Sequence, residues 1–238
     1  MSRIGVLGGM GPSATVDFMD KLVLLTPAVR DQEHLPVIVA SLPQVHDRSS
    51  AIMGQGRDPL PQLLAGIRLL NEIQVGVIAI PCNSSHHWYD DMSRTSHVPI
   101  LHIAQCCVQA IPAGAGDKVA VFATRGALAS GFYQRELARR GIDHFLPGAS
   151  DSQQHVDNCI RAVKAGDVEA GGQHLELACR DAARSGARSV IMGCTEIPIA
   201  ARQADVHGLA LIDSSLELAR ASVAFALERG WNRPRWDC

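Results

Sequence analysis

The sequence predicts an α/β protein made of two βα lobes, each a parallel sheet covered by helices, related by an internal pseudo-twofold axis. Short β-branched and apolar runs alternate with segments of helical periodicity along the 238 residues, a pattern typical of parallel sheets. The chain also repeats itself. Residues 4–7 precede a Gly-rich turn and have a counterpart in residues 119–122, and an apolar run leading to a cysteine recurs at nearly the same spacing, at Cys82 and Cys194.

The predicted elements follow in order along the chain. Strands are expected over residues 4–7, 37–41, 75–80, 99–102, 119–123, 189–192 and 209–212. Helices are expected over residues 13–25, 59–73, 84–95, 127–140, 153–165, 168–185 and 214–229. In the second helix, apolar residues recur at helical spacing between Leu60 and Leu70, with the charged Glu72 on the opposite face, which predicts an amphipathic helix.

The two lobes are expected to join near residues 113–117, an Ala- and Gly-rich stretch typical of a surface connection. We expect residues 105–208 to form the second lobe. The first lobe is expected to combine residues 1–104 with residues 209–238, whose strand and helix return to complete it.

Composition excludes several classes of protein. Hydrophobic residues make up 47% of the chain and charged residues 19%, as in ordinary globular proteins. The formal net charge of −2 gives no reason to expect a nucleic-acid or membrane partner. The N-terminal apolar run is too short for a secretory signal, and no stretch approaches the roughly 18 apolar residues of a membrane span. We therefore expect a cytoplasmic protein.

Seven cysteines, an odd number without CxxC spacing, are expected to be free thiols in a reducing compartment. Four of them lie in apolar or helical surroundings and are expected to be small core residues: Cys106, Cys107, Cys159 and Cys179. Cys238 is the terminal residue, and no function is expected for it. His102 lies near the first two, but adjacent cysteines suit tetrahedral zinc poorly. No metal site is expected.

Cys82 and Cys194 are different because each ends a predicted strand and precedes residues that cap helices. Asn83, Ser84 and Ser85 follow the first cysteine, and Thr195 and Glu196 follow the second. At the carboxyl edge of a parallel sheet, a helix N-terminus lowers the pKa of a thiol, and its amides bind an oxyanion. One such segment would be typical of a buried structural cysteine. Two matching copies favour a pair of thiols acting on opposite faces of one carbon.

Three motifs resemble one known family. They are Gly8-Gly9-Met10-Gly11-Pro12-Ser13-Ala14-Thr15, Pro81-Cys82-Asn83-Ser84-Ser85-His86 and Gly193-Cys194-Thr195-Glu196-Ile197-Pro198. In order, from residue 4 to about residue 226, the chain resembles the aspartate/glutamate racemase superfamily, most closely its aspartate racemase branch. The resemblance implies a cofactor-independent amino-acid racemase with two Rossmann-like lobes, an active site in the cleft between them and a homodimeric assembly.

The resemblance also implies roles for individual residues. Cys82 and Cys194 are the acid and base that exchange the α-proton. The implied substrate-binding residues are Met10, Arg48, Asn83, Ser84, Ser85, Thr124, Lys164 and Thr195. Among these, the guanidinium of Arg48 would grip the side-chain carboxylate, with Lys164 as a second cation. His86 is expected to orient its loop rather than to transfer protons.

The expected substrate is a small acidic amino acid. Glutamate racemases carry an Asp-Ser pair after the first strand and a His after the second Cys-Thr. This chain has Gly9-Met10 and Glu196 at those positions, which favours aspartate, with glutamate as a further substrate.

Other functions remain open on the same residues. Residues 9–14 fit a loose GxGxxA pattern after a strand, which suggests a dinucleotide-binding oxidoreductase. However, residues 41–43 at the end of the second strand contain no acidic residue to hold a ribose hydroxyl, and both cysteine motifs stay unexplained. Maleate-type isomerases keep two cysteines on this scaffold and remain an alternative. Arylmalonate-type decarboxylases need one cysteine, and a non-catalytic amino-acid binding module needs neither.

Overall fold

The computed structural model describes residues 2–111, 118–148 and 151–233. Its strands are β1 (Ile4–Gly8), β2 (Val37–Ser41), β3 (Val77–Ala79), β4 (Lys118–Ala123), β5 (His144–Phe145), β6 (Ala187–Gly193) and β7 (Ala210–Asp213). Its helices are α1 (Pro12–Leu25), α2 (Arg48–Ile52), α3 (Leu60–Glu72), α4 (Tyr89–Thr95), α5 (Ile103–Gln109), α6 (Arg125–Ser130), α7 (Phe132–Arg139), α8 (Asp151–Lys164), α9 (Val168–Arg184), α10 (Ile197–Ala201) and α11 (Ser214–Glu228). The 3-10 helices are Asp31–Glu33 and Asn83–Trp88. The expected junction at residues 113–117 and Cys238 lie outside the described ranges.

The strands form two parallel sheets with matching order. The first runs β2-β1-β3 and is extended by a bridge between Ile78 and Ile100, and the second runs β5-β4-β6-β7. β1 and β4, the two copies of the predicted repeat, occupy equivalent positions inside their sheets. β3 and β6, which lead to the two cysteines, are also equivalent. The predicted two-lobe α/β fold with parallel sheets is confirmed.

Three predicted elements take a different form. The helix predicted over residues 84–95 is a 3-10 helix (Asn83–Trp88) followed by α4. Over residues 99–102 the chain makes a single bridge instead of a strand, because Pro99 has no N–H to donate to a ladder. The helix predicted over residues 127–140 is divided into α6 and α7 at Gly131, whose φ of 70° is left-handed and ends the first helix.

Five short elements were not predicted: α2, α5, α10, β5 and the 3-10 helix Asp31–Glu33. The longest of them, α5, has seven residues, too few for a periodic pattern to be visible in the sequence. In the described part of the chain, none of the helices is both long and apolar enough to cross a bilayer.

The helix that follows each sheet packs against the opposite lobe. α5 follows the first sheet, yet its Cys107 and Val108 belong to a core cluster with Tyr133 of the second lobe. α11 follows the second sheet, yet its Leu218 packs in a cluster with Phe18 of the first. This exchange binds the two lobes into one unit and fixes the cleft between them.

β7 lies elsewhere than expected. Residues 209–238 are predicted to complete the first lobe, but β7 pairs in parallel with β6, with Ser189 opposite Ala210 and Met192 opposite Asp213. The hydrogen bonds of β7 to β6 place this strand in the second sheet, whereas the apolar face of α11 packs against the first lobe. The strand and the helix therefore belong to different lobes. The domain boundaries themselves remain a proposal.

Two further contacts join the lobes beside the cleft. The backbone N–H of Gly126 in α6 donates to Oγ of Ser49 in α2 at 3.0 Å. A Cβ at Gly126 would lie 2.7 Å from Cα of Ser49, so only glycine permits this approach. Nearby, the Lys21 ammonium of α1 pairs with both Asp17 and Asp213 at 2.6 Å.

Candidate active site

Cys82 and Cys194 open onto one cavity between the two lobes. Cys82 follows β3, and Cys194 follows β6. Because both lie beyond the carboxyl ends of parallel strands, the two lobes present them to the same cleft. Both are largely buried, with 5% and 6% relative exposure. The cavity is lined by Met10, Asp47, Arg48, Ser49, Cys82, Asn83, Ser84, Thr124, Lys164, Cys194, Thr195 and Glu196.

Of the predicted site residues, Ser85 is the one that does not line this cavity. It is fully buried behind the wall, and its hydroxyl donates to the sulfur of Met10 at 3.6 Å. Ser85 therefore supports a lining residue. All the other predicted residues come together around the cavity, although they span both lobes.

Arg48 is held rigidly, with part of its guanidinium unused. Nη1 donates to the carbonyls of Val45 at 3.1 Å and His46 at 3.0 Å, and Nη2 donates to the carbonyl of Met10 at 3.2 Å. Its Nε is buried and has no hydrogen-bond partner among the described residues. Because Arg48 lines the cavity, its guanidinium brings to the site a positive charge that suits a carboxylate.

Lys164, the last residue of α8, brings a second cation from the other lobe. Lys164 is an exposed residue, yet it contributes to the lining of the cavity. Burial acts to lower the pKa of Lys164, yet Cys194, Glu196 and Cys82 together raise it above its ordinary value. Arg48 responds in the same way: burial opposes its charge, and Cys82 most strongly raises its pKa. Both cations are therefore held charged beside the thiols.

Cys194 is hydrogen-bonded to a buried carboxylate. Its Sγ donates to Oε2 of Glu196 at 3.0 Å, and the Thr195 hydroxyl donates to the same oxygen at 3.4 Å. Burial raises the pKa of Cys194 well above its ordinary value, and Glu196 raises it further, while Lys164 opposes both effects. A helix N-terminus was expected to lower the pKa of this thiol, and for Cys194 that expectation is wrong. Burial and the carboxylate of Glu196 raise the pKa, and α10 has only five residues to oppose them.

The Asn83 side chain belongs to a network beneath the cavity. Its Oδ1 accepts from the Tyr133 hydroxyl at 2.6 Å, and its Nδ2 donates to Oγ of Ser214 at 3.1 Å. Ser214 in turn donates to the carbonyl of Met192 at 2.7 Å. Burial raises the pKa of Tyr133 well above its ordinary value, so the phenol stays a donor. The side chain of Asn83, which also lines the cavity, thereby links the loop after Cys82 to the strand that precedes Cys194.

Ser84 and His86 fix the Cys82 loop from two sides. The hydroxyl of Ser84 is 2.9 Å from that of Thr124, which caps α6 in the other lobe. His86 is 3.1 Å from the Cys82 carbonyl through Nδ1, and its Nε2 accepts from the N–H of Ile103 at 3.2 Å. Burial lowers the pKa of His86 to about 3, so it is neutral. These contacts support the expectation that His86 orients the loop.

Asp47, Ser49 and Glu196 line the cavity but were not among the predicted site residues. Asp47 caps α2 by accepting from the N–H of Ser50 at 2.7 Å. Each of the three is within two positions of a predicted residue. Glu196 carried a visible signal, since it stands where related glutamate enzymes have a histidine.

Comparison with known proteins identifies the family. Residues 7–221 match the model of the Asp/Glu/Hydantoin racemase family. The chain belongs to this family. The resemblance expected from the three motifs is thereby confirmed, and the enzyme is an isomerase of the racemase class.

Relatives of this racemase cover nearly its whole length. It is 28% identical over 231 residues to the broad specificity amino-acid racemase RacX of Bacillus subtilis (strain 168), covering 93% of this chain and 96% of that one. Its structure is similar to that of the Picrophilus torridus aspartate racemase, with a TM-score of 0.84, 26% identity and coverage of 95% and 94%. The glutamate racemase of Francisella tularensis subsp. tularensis shares the fold, with a TM-score of 0.70, 18% identity and coverage of 97% and 82%.

Proposed function

We propose that this racemase interconverts L- and D-aspartate without a cofactor, by proton transfer between Cys82 and Cys194. The observation that carries the proposal is that both thiols, from equivalent loops of the two lobes, line one cavity. Racemisation needs a base on one face of the α-carbon and an acid on the other. The similarity to an aspartate racemase over 95% of the chain supports the choice of substrate.

The α-hydrogen of an amino acid is weakly acidic, and without a cofactor as electron sink the site must stabilise the developing charge electrostatically. One thiolate removes the α-proton, and the electron pair of the broken C–H bond is delocalised towards the α-carboxylate. The opposite thiol then delivers its proton to the other face of the carbon. The reverse reaction exchanges the roles of Cys82 and Cys194.

Two cations, one from each lobe, suit a substrate with two carboxylates. Arg48 lines the cavity from the first lobe, and Lys164 lines it from the second. Glutamate is one methylene longer and is the second substrate we propose, with lower efficiency. The broad specificity stated for the Bacillus subtilis relative supports some tolerance of side-chain length.

Incubation of L-aspartate with the enzyme in heavy water is expected to abolish optical rotation and to place deuterium at the α-carbon, with no pyridoxal phosphate added. Both changes follow from proton removal and return from solvent-exchanged thiols. Polarimetry and proton NMR measure them together. Absence of α-exchange with both aspartate and glutamate would contradict the proposal, whereas cis–trans isomerisation of maleate would favour the maleate-type alternative.

Arg48→Lys is expected to lower kcat/KM for aspartate by about 10²-fold, corresponding to roughly 3 kcal/mol. A lysine ammonium cannot keep three backbone carbonyls bonded and also offer a side-on fork to a carboxylate. Steady-state kinetics with both enantiomers measures the loss. Arg161→Lys, on the exposed face of α8, is the matched control and should leave kcat/KM unchanged. Full activity of Arg48→Lys would remove Arg48 from the substrate site.

A cytoplasmic location and a homodimeric assembly are further parts of the proposal. The six cysteines that the structure describes are all free thiols, which supports a reducing compartment. The homodimer rests on the family resemblance and is tested by light scattering of the purified protein.

A further inference from the structure

We infer that Glu196 is a positioning residue. In the free enzyme the two cysteines carry one proton between them, and Glu196 keeps that proton on Cys194, so that Cys82 acts first as the base. The inference rests on the proposed two-cysteine function and adds to it an order of events. It follows from what each thiol faces: Cys194 faces a carboxylate, and Cys82 faces a guanidinium.

Glu196 is fixed so that one carboxylate oxygen points at the thiol. Only 4% of the residue is exposed, and Oε2 accepts from both Cys194 and Thr195. The other oxygen, Oε1, lies against Gly11, where an added Cβ would be only 3.3 Å away. The hydrogen bond runs from Sγ of Cys194 to Oε2 of Glu196, so the sulfur carries the hydrogen and the carboxylate oxygen accepts it.

Loss of the Cys194 proton would put two negative charges 3.0 Å apart in a buried site. The groups that face Cys194 are Glu196 on its own loop, Lys164 of α8, Tyr133 of α7 and Cys82 across the cavity. Lys164 opposes part of the repulsion, but its effect ranks below that of Glu196. The single negative charge of the two cysteines is therefore more stable on Cys82, which is beside Arg48, than on Cys194.

This asymmetry orders the catalytic cycle. The resting enzyme accepts the enantiomer whose α-hydrogen faces Cys82; that proton moves to Cys82, and Cys194 gives its own proton to the opposite face. The product leaves an enzyme with the proton on Cys82 and a thiolate on Cys194. Cys82 then releases its proton to solvent, and the Cys194 thiolate, which the charge of Glu196 destabilises, takes a proton up from solvent. Because the two enantiomers have equal free energies, kcat/KM stays equal in both directions, and the asymmetry is expressed in kcat and KM separately.

The test is the alkylation rate of each cysteine by iodoacetamide as a function of pH, read by peptide mass spectrometry. Glu196→Gln keeps the shape and removes the charge. We expect Cys194 in this variant to be alkylated about tenfold faster at pH 8, as for a pKa lowered by roughly one unit. Alkylation of Cys82 should change less than about twofold.

Two further variants separate charge from structure. Glu196→Asp retains the negative charge and should keep the slow wild-type alkylation of Cys194, whereas a merely structural role would make it behave like Glu196→Gln. Glu169→Gln, an exposed carboxylate in the first turn of α9, should change neither cysteine. An unchanged Cys194 rate in Glu196→Gln, or equal acceleration of both cysteines, would overturn the inference. The measurement needs no substrate, so it stands apart from failure of the proposed racemisation.

Discussion

Racemisation of aspartate is expected to fall by at least about 10³-fold when either Cys82 or Cys194 is replaced by alanine. General acid–base groups contribute roughly 10²–10⁴ in rate, and each variant lacks the group that serves one face of the α-carbon. Both residues lie in loops after strands, and alanine is smaller than cysteine, so neither variant introduces a steric clash. Cys194→Ala removes the hydrogen bond to Glu196, whereas the hydrogen bonds of Asn83 involve neither thiol. Polarimetry measures the loss, and thermal unfolding checks that the fold persists.

The single-cysteine variants also carry a signature that distinguishes two bases from one. The remaining thiol should exchange the α-hydrogen of one enantiomer for deuterium without inverting it, because removal and return then occur on the same face. Cys82→Ala and Cys194→Ala should act on opposite enantiomers. Cys106→Ala, which changes a half-buried cysteine outside the cavity, is the control and should keep full activity. Racemisation at the wild-type rate in either active-site variant would contradict the acid–base assignment.

Lys21→Met is expected to lower the free energy of unfolding by about 3–5 kcal/mol, the usual effect of breaking a buried ion pair from one side. The Lys21 ammonium lies 2.6 Å from both Asp17 and Asp213, and all three side chains are largely buried. Asp213 also caps α11 by accepting from the N–H of Ser215. Without the cation, Asp213 loses its ammonium partner, and Asp17 keeps only its ion pair with Arg202. Urea unfolding followed by circular dichroism measures the change.

Arg30→Met provides the matched control for this prediction. Arg30 also makes an ion pair, with Glu33 at 2.7 Å, but its side chain is 73% exposed. Water and salt screen such pairs, so little change in unfolding is expected. Equal effects of Lys21→Met and Arg30→Met would show that the buried cluster does not stabilise the lobe junction. A loss of activity in Lys21→Met that exceeds its loss of folded protein would show that the cluster also shapes the cleft.

Local sequence patterns were sufficient for most of the fold and the cavity. β1 and β4 are short apolar runs before a turn, and a parallel sheet places such runs side by side with their carboxyl ends at one edge. That rule is sufficient to predict that Cys82 and Cys194 lie at the same cleft. Short elements such as α2 and β5 escaped because they contain too few residues to show a period.

Contacts between distant residues could not be predicted in this way. Nothing near Asn83 in the sequence indicates that its amide donates to Ser214, which is 131 positions away. β7 was expected to complete the first lobe together with α11, yet its backbone pairs with β6 in the second sheet. Neither partner choice leaves a mark on nearby residues, since each depends on how complete elements pack.

The repeat, the two parallel sheets, the family and the positions of the two cysteines follow from the sequence, because strand ends and motifs are local features. The groups that face each thiol become known only from how the folded chain packs. Arg48 lies beside Cys82 and Glu196 bonds to Cys194, although the two cysteine loops look equivalent in the sequence. The chemical difference between them arises from burial and from charges brought close by packing, which act over a few ångströms in space rather than along the chain.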